Sequence, residues 1–423
     1  MAERVVGKNI FKVDALDKVM GKAIYPDDIY FDDMLYLKIK RATYPHAYLR
    51  KIDTSKALKL PGVVKIITAA DIPEVKNFGL IVKDQPVLIR IGEKMRYMGD
   101  ALAIIVAESK EIASKAVRLI EVEVEKLEVI SDPLRAMEND APFIHQDGNI
   151  LVTHYLKKGD VKKGFAEASV IVENEYKTSF IDHVPLQVES GLGLFDAKNE
   201  VIKLWVASQW LHDTQADIAQ SLGLPKEKII LIQPAIGGAF GRKEDISVHI
   251  HLALAAMMTK RPVKLTYTRE ESMIAQSKRH AFIIRMKTGA KKEGYLTACQ
   301  VEVIGDTGAY ASSGPAVVHK GMYHCTGPYN VDHVRGVAYA VYTNNTYAGA
   351  MRGFGTTQMA FAYESQMDIL ACKLGINPIQ FRWQNAYDIG SSTPNQQVLT
   401  HSVGVKETIE EAVHMADWKG IEL

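Results

Sequence analysis

Ile236-Gly237-Gly238-Ala239-Phe240-Gly241-Arg242-Lys243-Glu244 and Ala350-Met351-Arg352-Gly353-Phe354-Gly355 decide how this chain reads. Each run joins an apolar segment to a helical one. Each sets a single aromatic ring among residues without a Cβ, where backbone amides can close on a ligand. One such run alone is ordinary strand-to-helix turn chemistry. Two of the same pattern point to a cofactor cradle. The first run fits neither common phosphate motif: Gly241 is followed by Arg242-Lys243-Glu244 rather than by Lys-Ser/Thr, and the three-glycine dinucleotide spacing also fails.

Working outward, a strand over 229–233 delivers the first run. A helix over 245–258 follows it and ends before Arg261-Pro262, its unpaired amino-terminal amides expected to point at whatever the turn encloses. The second run opens a helix over 357–373, whose face is Met359, Ala362, Met367, Leu370 and Leu374 and whose stop is Gly375. Asn377-Pro378 caps and starts another helix, and an amphipathic one spans 405–416. Strands are expected at 170–178, 202–207, 263–267, 282–287 and 297–304, with Gly294 in the hairpin, and a helix at 213–222 stopped by Gly223 and Pro225. Nearer the amino terminus, a strand at 101–106, a helix at 109–119 and a half-exposed strand at 120–127 form a module expected to hold its own core. A polar stretch over 140–149 reads as a linker. The fold class is therefore α+β: a small α/β domain over 1–138, then a larger mixed domain over 150–423.

The 423 residues suffice for two or three domains, and 47% hydrophobic with 24% charged residues is ordinary globular composition. A formal net charge of +1, with scattered Lys and Arg, offers no field for nucleic acid or an anionic membrane. The first residues contain no apolar core before a cleavage site, and the strongest apolar stretch, 252–258, is too short to span a bilayer, so a cytoplasmic location is expected. Cys299, Cys325 and Cys372 stand apart without a Cys-x-x-Cys pair, which excludes a self-contained iron–sulfur cluster. Any electron relay then lies in a partner. Cys325 follows His324, which suits a nucleophile, yet sequence neighbours seldom share the needed geometry and a buried thiol is the plainer reading.

The two glycine runs, with Val206-Ala207-Ser208-Gln209 at a strand end, resemble in order and interval the molybdenum-binding subunit of the xanthine dehydrogenase and aldehyde oxidoreductase family. The resemblance covers nearly the whole chain. Arg96-Tyr97-Met98-Gly99-Asp100-Ala101 lies in a part similar to the family's hammerhead domain, and Gly159-Asp160 with Phe165-Ala166-Glu167-Ala168 resembles the entry to the first molybdopterin-binding domain. The second cofactor domain is absent from this sequence.

The resemblance implies that Gln209 and Arg352 serve catalysis and that Gln209, Gly238, Ala239, Phe240, Gly241 and Arg352 bind the cofactor. Gln209 would aim its amide donor at an oxygen on molybdenum, and the backbone near Phe240, Gly241 and Arg352 would face the oxo group and pterin. No side chain would ligate the metal directly. Such a centre is electron-rich, which fixed N–H donors suit. Read without the family, Gln209 is a surface amide and Arg352 a solvated arginine. Substrate contacts are implied for Phe354, packing on a ring, and for Glu244 and Lys320. Phe354 otherwise reads as core, and Glu244 as a helix-start acid. Lys320 stands where purine-oxidising members usually carry arginine, keeping the charge but losing the planar fork. Arg242 replaces a glycine usual in the family, and Gln187 a frequent glutamate.

The implied protein is the large molybdopterin subunit of a multi-subunit hydroxylase, placing water-derived oxygen on a carbon beside nitrogen in a purine-like ring such as xanthine or hypoxanthine. Nicotinate-like rings and aldehydes stand behind purines. The cofactor is molybdenum on molybdopterin, expected in the cytosine dinucleotide form. The catalytic glutamate belongs to a second molybdopterin subunit, and iron–sulfur and FAD subunits carry electrons away. In some relatives the molybdenum polypeptide is divided between two genes, a boundary that Leu423 would suit. Two rivals stand: a non-catalytic assembly scaffold, and a transferase whose glycine turns hold a nucleotide.

Overall fold

The computed structural model describes residues 6–72 and 74–418. In chain order the strands are β1 Leu35–Arg41, β2 Ala47–Asp53, β3 Val63–Thr68, β4 Lys94–Met95, β5 Ala101–Ala107, β6 Glu121–Lys126, β7 Ile150–Lys158, β8 Val170–Lys177, β9 Ser190–Asp196, β10 Val201–Val206, β11 Ile229–Ile232, β12 Val263–Thr266, β13 Ala281–Ala290, β14 Leu296–Gly308 and β15 His333–Tyr342. They form a seven-stranded sheet ordered β11-β10-β9-β12-β1-β5-β3, a five-stranded sheet ordered β7-β15-β14-β13-β8 and a three-stranded sheet ordered β4-β2-β6.

The largest sheet crosses the expected linker. β1 pairs in parallel with β12 (Leu35 with Val263), so strands from the first third of the chain continue a sheet begun by β9 to β12. β5 shows why: all seven of its residues are buried. One face joins the core shared with Leu204, Leu252 and Leu265, while Ala103 and Ile105 on the other pack with Ala113 and Ala116 of helix Lys110–Leu119. A strand buried on both faces requires a layer on each side. The amino-terminal module thus has a core of its own beneath that helix and a second one in common with the rest.

The sequence-based elements mostly coincide with observed ones. Helix Leu211–Leu222 ends at Gly223 in the left-handed conformation (φ +67°), and helix Thr356–Leu374 ends likewise at Gly375 (φ +66°), as C-terminal glycine caps do. That long helix buries Met359, Ala362, Met367 and Leu370 against β8 and β13. One element differs where it matters. The helix expected from 245 begins only at His249, and a 3-10 turn over Arg242–Glu244 separates it from the glycine run. Its amino-terminal amides therefore do not follow directly on the turn. Helix Gly314–Tyr323, which carries Lys320, was not anticipated. Cys299 and Cys325 are buried and Cys372 is exposed.

Candidate cofactor site

Both glycine runs turn through a left-handed Phe-Gly pair, preceded by a positive-φ glycine two residues before the ring in the first and one before it in the second. Gly238, Phe240 and Gly241 have φ of +95°, +58° and +103°, and Gly353, Phe354 and Gly355 have +96°, +53° and +95°. Left-handed backbone costs a residue with a Cβ about 1–2 kcal/mol. Phenylalanine in that region twice, at matching positions, is thus a strained arrangement that the surroundings must hold in place.

The two turns touch. Arg352 N–H donates to Phe240 O at 3.0 Å. A Cβ on Gly241 would lie 2.4 Å from Ala350 O, so only glycine allows the approach. The second turn also rests on helix Gly314–Tyr323, where a Cβ on Gly355 would lie 2.4 Å from Val317 O.

Side chains beneath the turns lock this pairing. The Arg242 guanidinium, 1% exposed, pairs through Nη1 with Asp182 at 2.5 Å and through Nε with Glu189 at 3.0 Å, and Nη2 also donates to the Ser272 carbonyl. Lys278 holds the other oxygen of Asp182 at 2.8 Å. Next to Asp182, His183 is driven by burial down to about 4, so it is neutral and donates Nε2–H to Ala350 O at 2.7 Å. Arg279 donates to the Arg352 carbonyl at 2.8 Å. Burial pushes Lys243 down to about 8, and its Nζ donates to Gly238 O at 2.9 Å and Gln187 O at 3.1 Å. An ionic truss of this kind fixes backbone that propensity alone would not.

Gln209 is exposed, at the end of β10, and its Oε1 accepts the Gly241 N–H at 3.0 Å. That bond settles the amide's orientation, because only the oxygen can face a backbone donor. Its Nε2 has no protein partner among the described residues. Gln187 is arranged the same way: Oε1 takes the Gly237 N–H at 2.7 Å and the buried Nε2 is unpartnered. The N–H groups of Gly241 and Arg352, expected to face a ligand, are instead used between and beneath the turns. These two residues supply position, and the donors left over are the amides of Gln209 and Gln187, the Ala239 and Phe240 N–H groups, and the exposed Arg352 guanidinium.

Glu244 lies at the edge of the first turn, where burial and neighbouring Asp245 raise its carboxyl to about 7. Its Oε2 is buried without a partner. Lys320 is exposed, with its Nζ 5.8 Å from the centre of the Phe354 ring, a cation over an aromatic face. Phe354 is half-buried and packs on the core of the five-stranded sheet, as the core reading has it. Phe240 is 49% exposed. Among the described residues Glu244 and Lys320 form no ion pair.

Sequence reasoning did not pick out Asp182, His183, Glu189, Lys278 or Arg279. No local motif marks them, since each acts on a turn tens of residues away. A buried arginine inside a glycine run, Arg242, was the one available signal that acids must converge there.

The donors left free around these turns suit an electron-rich oxo and pterin group. Among the described residues no group of three or more His, Cys, Asp or Glu could hold a metal ion. The class of protein follows from the family comparisons. The model described as molybdopterin cofactor-binding domain matches residues 144–386, and that described as aldehyde oxidase and xanthine dehydrogenase, a/b hammerhead domain, matches residues 20–128. The chain belongs to the xanthine dehydrogenase and aldehyde oxidoreductase family of molybdenum hydroxylases.

Among its relatives, the nicotinate dehydrogenase large molybdopterin subunit of Eubacterium barkeri is 43% identical over 97% of this chain and 96% of its own length. A probable xanthine dehydrogenase subunit of Bacillus subtilis is 38% identical over 89% of this chain and 51% of that protein. Among solved structures, the aldehyde oxidoreductase from Desulfovibrio gigas superposes with a TM-score of 0.90 at 29% identity, over 97% of this chain and 47% of that one. Apart from the Eubacterium protein, the chain spans about half the length of these relatives. Among the described residues no helix is long and apolar enough to cross a membrane.

Proposed function

We propose that this chain is the large molybdopterin-binding subunit of a divided hydroxylase that acts on a ring carbon next to nitrogen in a heteroaromatic substrate. The observation that carries the reading is the pair of contacting turns, with exposed Gln209 bonded to the first, half-exposed Phe240 in it and exposed Arg352 in the second. When bound, molybdenum on its pterin, here in the cytosine dinucleotide form, supplies a two-electron acceptor and delivers oxygen derived from water. Gln209, oriented by its bond to the Gly241 N–H, contributes a fixed donor toward developing negative charge, and the Arg352 guanidinium adds a mobile positive charge beside it. Gly238, Ala239 and Gly241 keep the backbone close enough for those donors to converge. Phe354 packs on the substrate ring.

The substrate class follows from the two charged side chains. Lys320, poised over the Phe354 ring, suits a stacked heterocycle with an anionic substituent, which favours a nicotinate-like pyridine. The 43% identity to a nicotinate dehydrogenase subunit of matching length supports the same choice. Glu244 favours purines as the second reading, because a carboxyl near pKa 7 can donate to or accept from a ring nitrogen at neutral pH. The catalytic glutamate would come from a second molybdopterin subunit, and iron–sulfur and FAD subunits would carry electrons onward.

The test is the assembled complex, assayed with nicotinate, xanthine, hypoxanthine and an aldehyde in ¹⁸O-labelled water, beside its molybdenum content. Labelled hydroxylated pyridine is expected. Purine turnover lost on Glu244→Ala would replace the first reading with the second, and a folded complex without molybdenum would leave only a scaffold.

A further inference from the structure

Residues 25–31 pack on the seven-stranded sheet, Pro26 buried and Phe31 against Trp205, whereas the stretch before them is folded and exposed. Helix Ala15–Val19 buries none of its residues. Phe11, Val13, Leu16, Val19, Met20 and Ile24 are exposed, Phe11 to 94% and Val19 to 81%. The segment still holds a defined course: Met20 N–H donates to Leu16 O at 3.0 Å, and Lys22 and Ala23 N–H both donate to Asp17 O, at 2.8 and 3.0 Å. So many apolar side chains on a short ordered stretch mark an interaction surface.

Its attachment point is the cofactor site. Ala235 N–H donates to Ile24 O at 2.9 Å, and a Cβ on Gly237 would lie 3.4 Å from the Tyr25 ring. Val184 and Leu186, 54% and 94% exposed, flank the loop whose Gln187 bonds Gly237, and half-exposed Phe240 follows. The apolar segment and an apolar rim therefore meet at the first glycine turn.

We infer that residues 6–24 form a strap that docks on the second molybdopterin subunit, continuing the face on which that subunit closes the cofactor site. The inference rests on the divided-enzyme reading above. That occupant is favoured over a second copy of this chain because the strap emerges beside the turn that a further cofactor-binding polypeptide has to cover, and because this chain spans about half of the matching aldehyde oxidoreductase.

The experiment uses the complex co-purified with the polypeptide that carries the second cofactor domain. The triple variant Phe11→Ser, Leu16→Ser, Val19→Ser is compared with Ile389→Ser, an exposed apolar position outside the face. The strap variant is expected to keep the unfolding temperature of the isolated chain, since those side chains bury nothing, and to bind the second subunit about 100-fold more weakly, as loss of central apolar contacts does. In the wild-type complex, amide exchange over 8–24 is expected to slow relative to the isolated chain. Unchanged affinity of the triple variant, or unchanged exchange, overturns the strap while leaving the divided enzyme standing. Self-association of the isolated chain abolished by the triple variant overturns the occupant. A wild-type chain that captures no second cofactor subunit overturns the divided-enzyme reading, and the strap falls with it.

Discussion

Gly241→Ala is the sharpest perturbation of the site. Gly241 has φ +103° and ψ −24°, and its added Cβ would sit 2.4 Å from Ala350 O and 2.7 Å from Ala350 C. An ordinary contact begins near 3.4 Å. The obstacle is backbone, so no side-chain rotation relieves it, and the two turns must separate by about 1 Å. Left-handed strain contributes about 1–2 kcal/mol and overpacking about 1–3 kcal/mol, a total of about 2–5 kcal/mol. The appropriate reference is Gly375→Ala, also at positive φ (+66°, ψ +26°) but with nothing within 4 Å of its Cβ, where only the conformational part of about 1–2 kcal/mol applies. A displacement of about 1 Å in positioning groups costs on the order of 100-fold in rate. Thermal unfolding of the isolated chain and molybdenum per complex by mass spectrometry read the two consequences separately. Gly241→Ala should unfold at a lower temperature than Gly375→Ala and hold little molybdenum. Equal unfolding temperatures with full molybdenum would refute the claim that contact between the turns builds the site.

Gln209→Glu should keep the fold, because a carboxylate oxygen still accepts the Gly241 N–H, yet lower turnover by about 100-fold through loss of the outward donor; an unchanged rate would remove Gln209 from the reaction. Arg242→Met leaves Glu189 and Asp182 buried without their arginine, and removal of one member of a buried pair costs about 3–5 kcal/mol. Denaturant titration checks that figure, with the loss falling mainly on Glu189 because Lys278 still holds Asp182. Glu244 has a folded pKa raised from 4.5 to about 7, so the folded chain holds a proton that the unfolded chain releases first. Its contribution is complete at acidic pH and is lost as pH rises to about 7. Glu244→Gln should therefore flatten the decline in stability over that window and stabilise the chain at pH 8, as stability measured against pH would report.

Much of the site was legible locally. The glycine runs announced sharp turns because few side chains tolerate left-handed backbone, but whether their rings are exposed was not legible: Phe240 is half-exposed and Phe354 packs on the core. Gln209 was recognisable only through its place in the family's pattern. The helix over 245–258 was placed too early because it was read from composition, whereas the helix begins at His249 and the chain before it is a 3-10 turn over Arg242–Glu244, whose Arg242 pairs with distant acids. The strands of the first third were underread for another reason. β1 alternates buried Leu35, Leu37 and Ile39 with Tyr36, Lys38 and Lys40, a strand pattern left unread, while its pairing with β5 and with β12 far along the chain is decided only by the fold.

Sequence alone established the class of molecule: where chain direction must change sharply, which rings stand at those turns, and that the cysteine spacing offers no Cys-x-x-Cys pair. Those properties belong to individual residues and their immediate neighbours. Only tertiary structure decided that the two turns lie against each other, that Asp182, Glu189, Lys278 and Arg279 brace them, that Gly241 and Arg352 give up their amides to each other's surroundings, and that residues 6–24 stand uncovered beside the first turn. Each of these depends on contacts between segments far apart in the chain, and a buried charge or an exposed leucine acquires meaning only from what folding brings, or fails to bring, next to it.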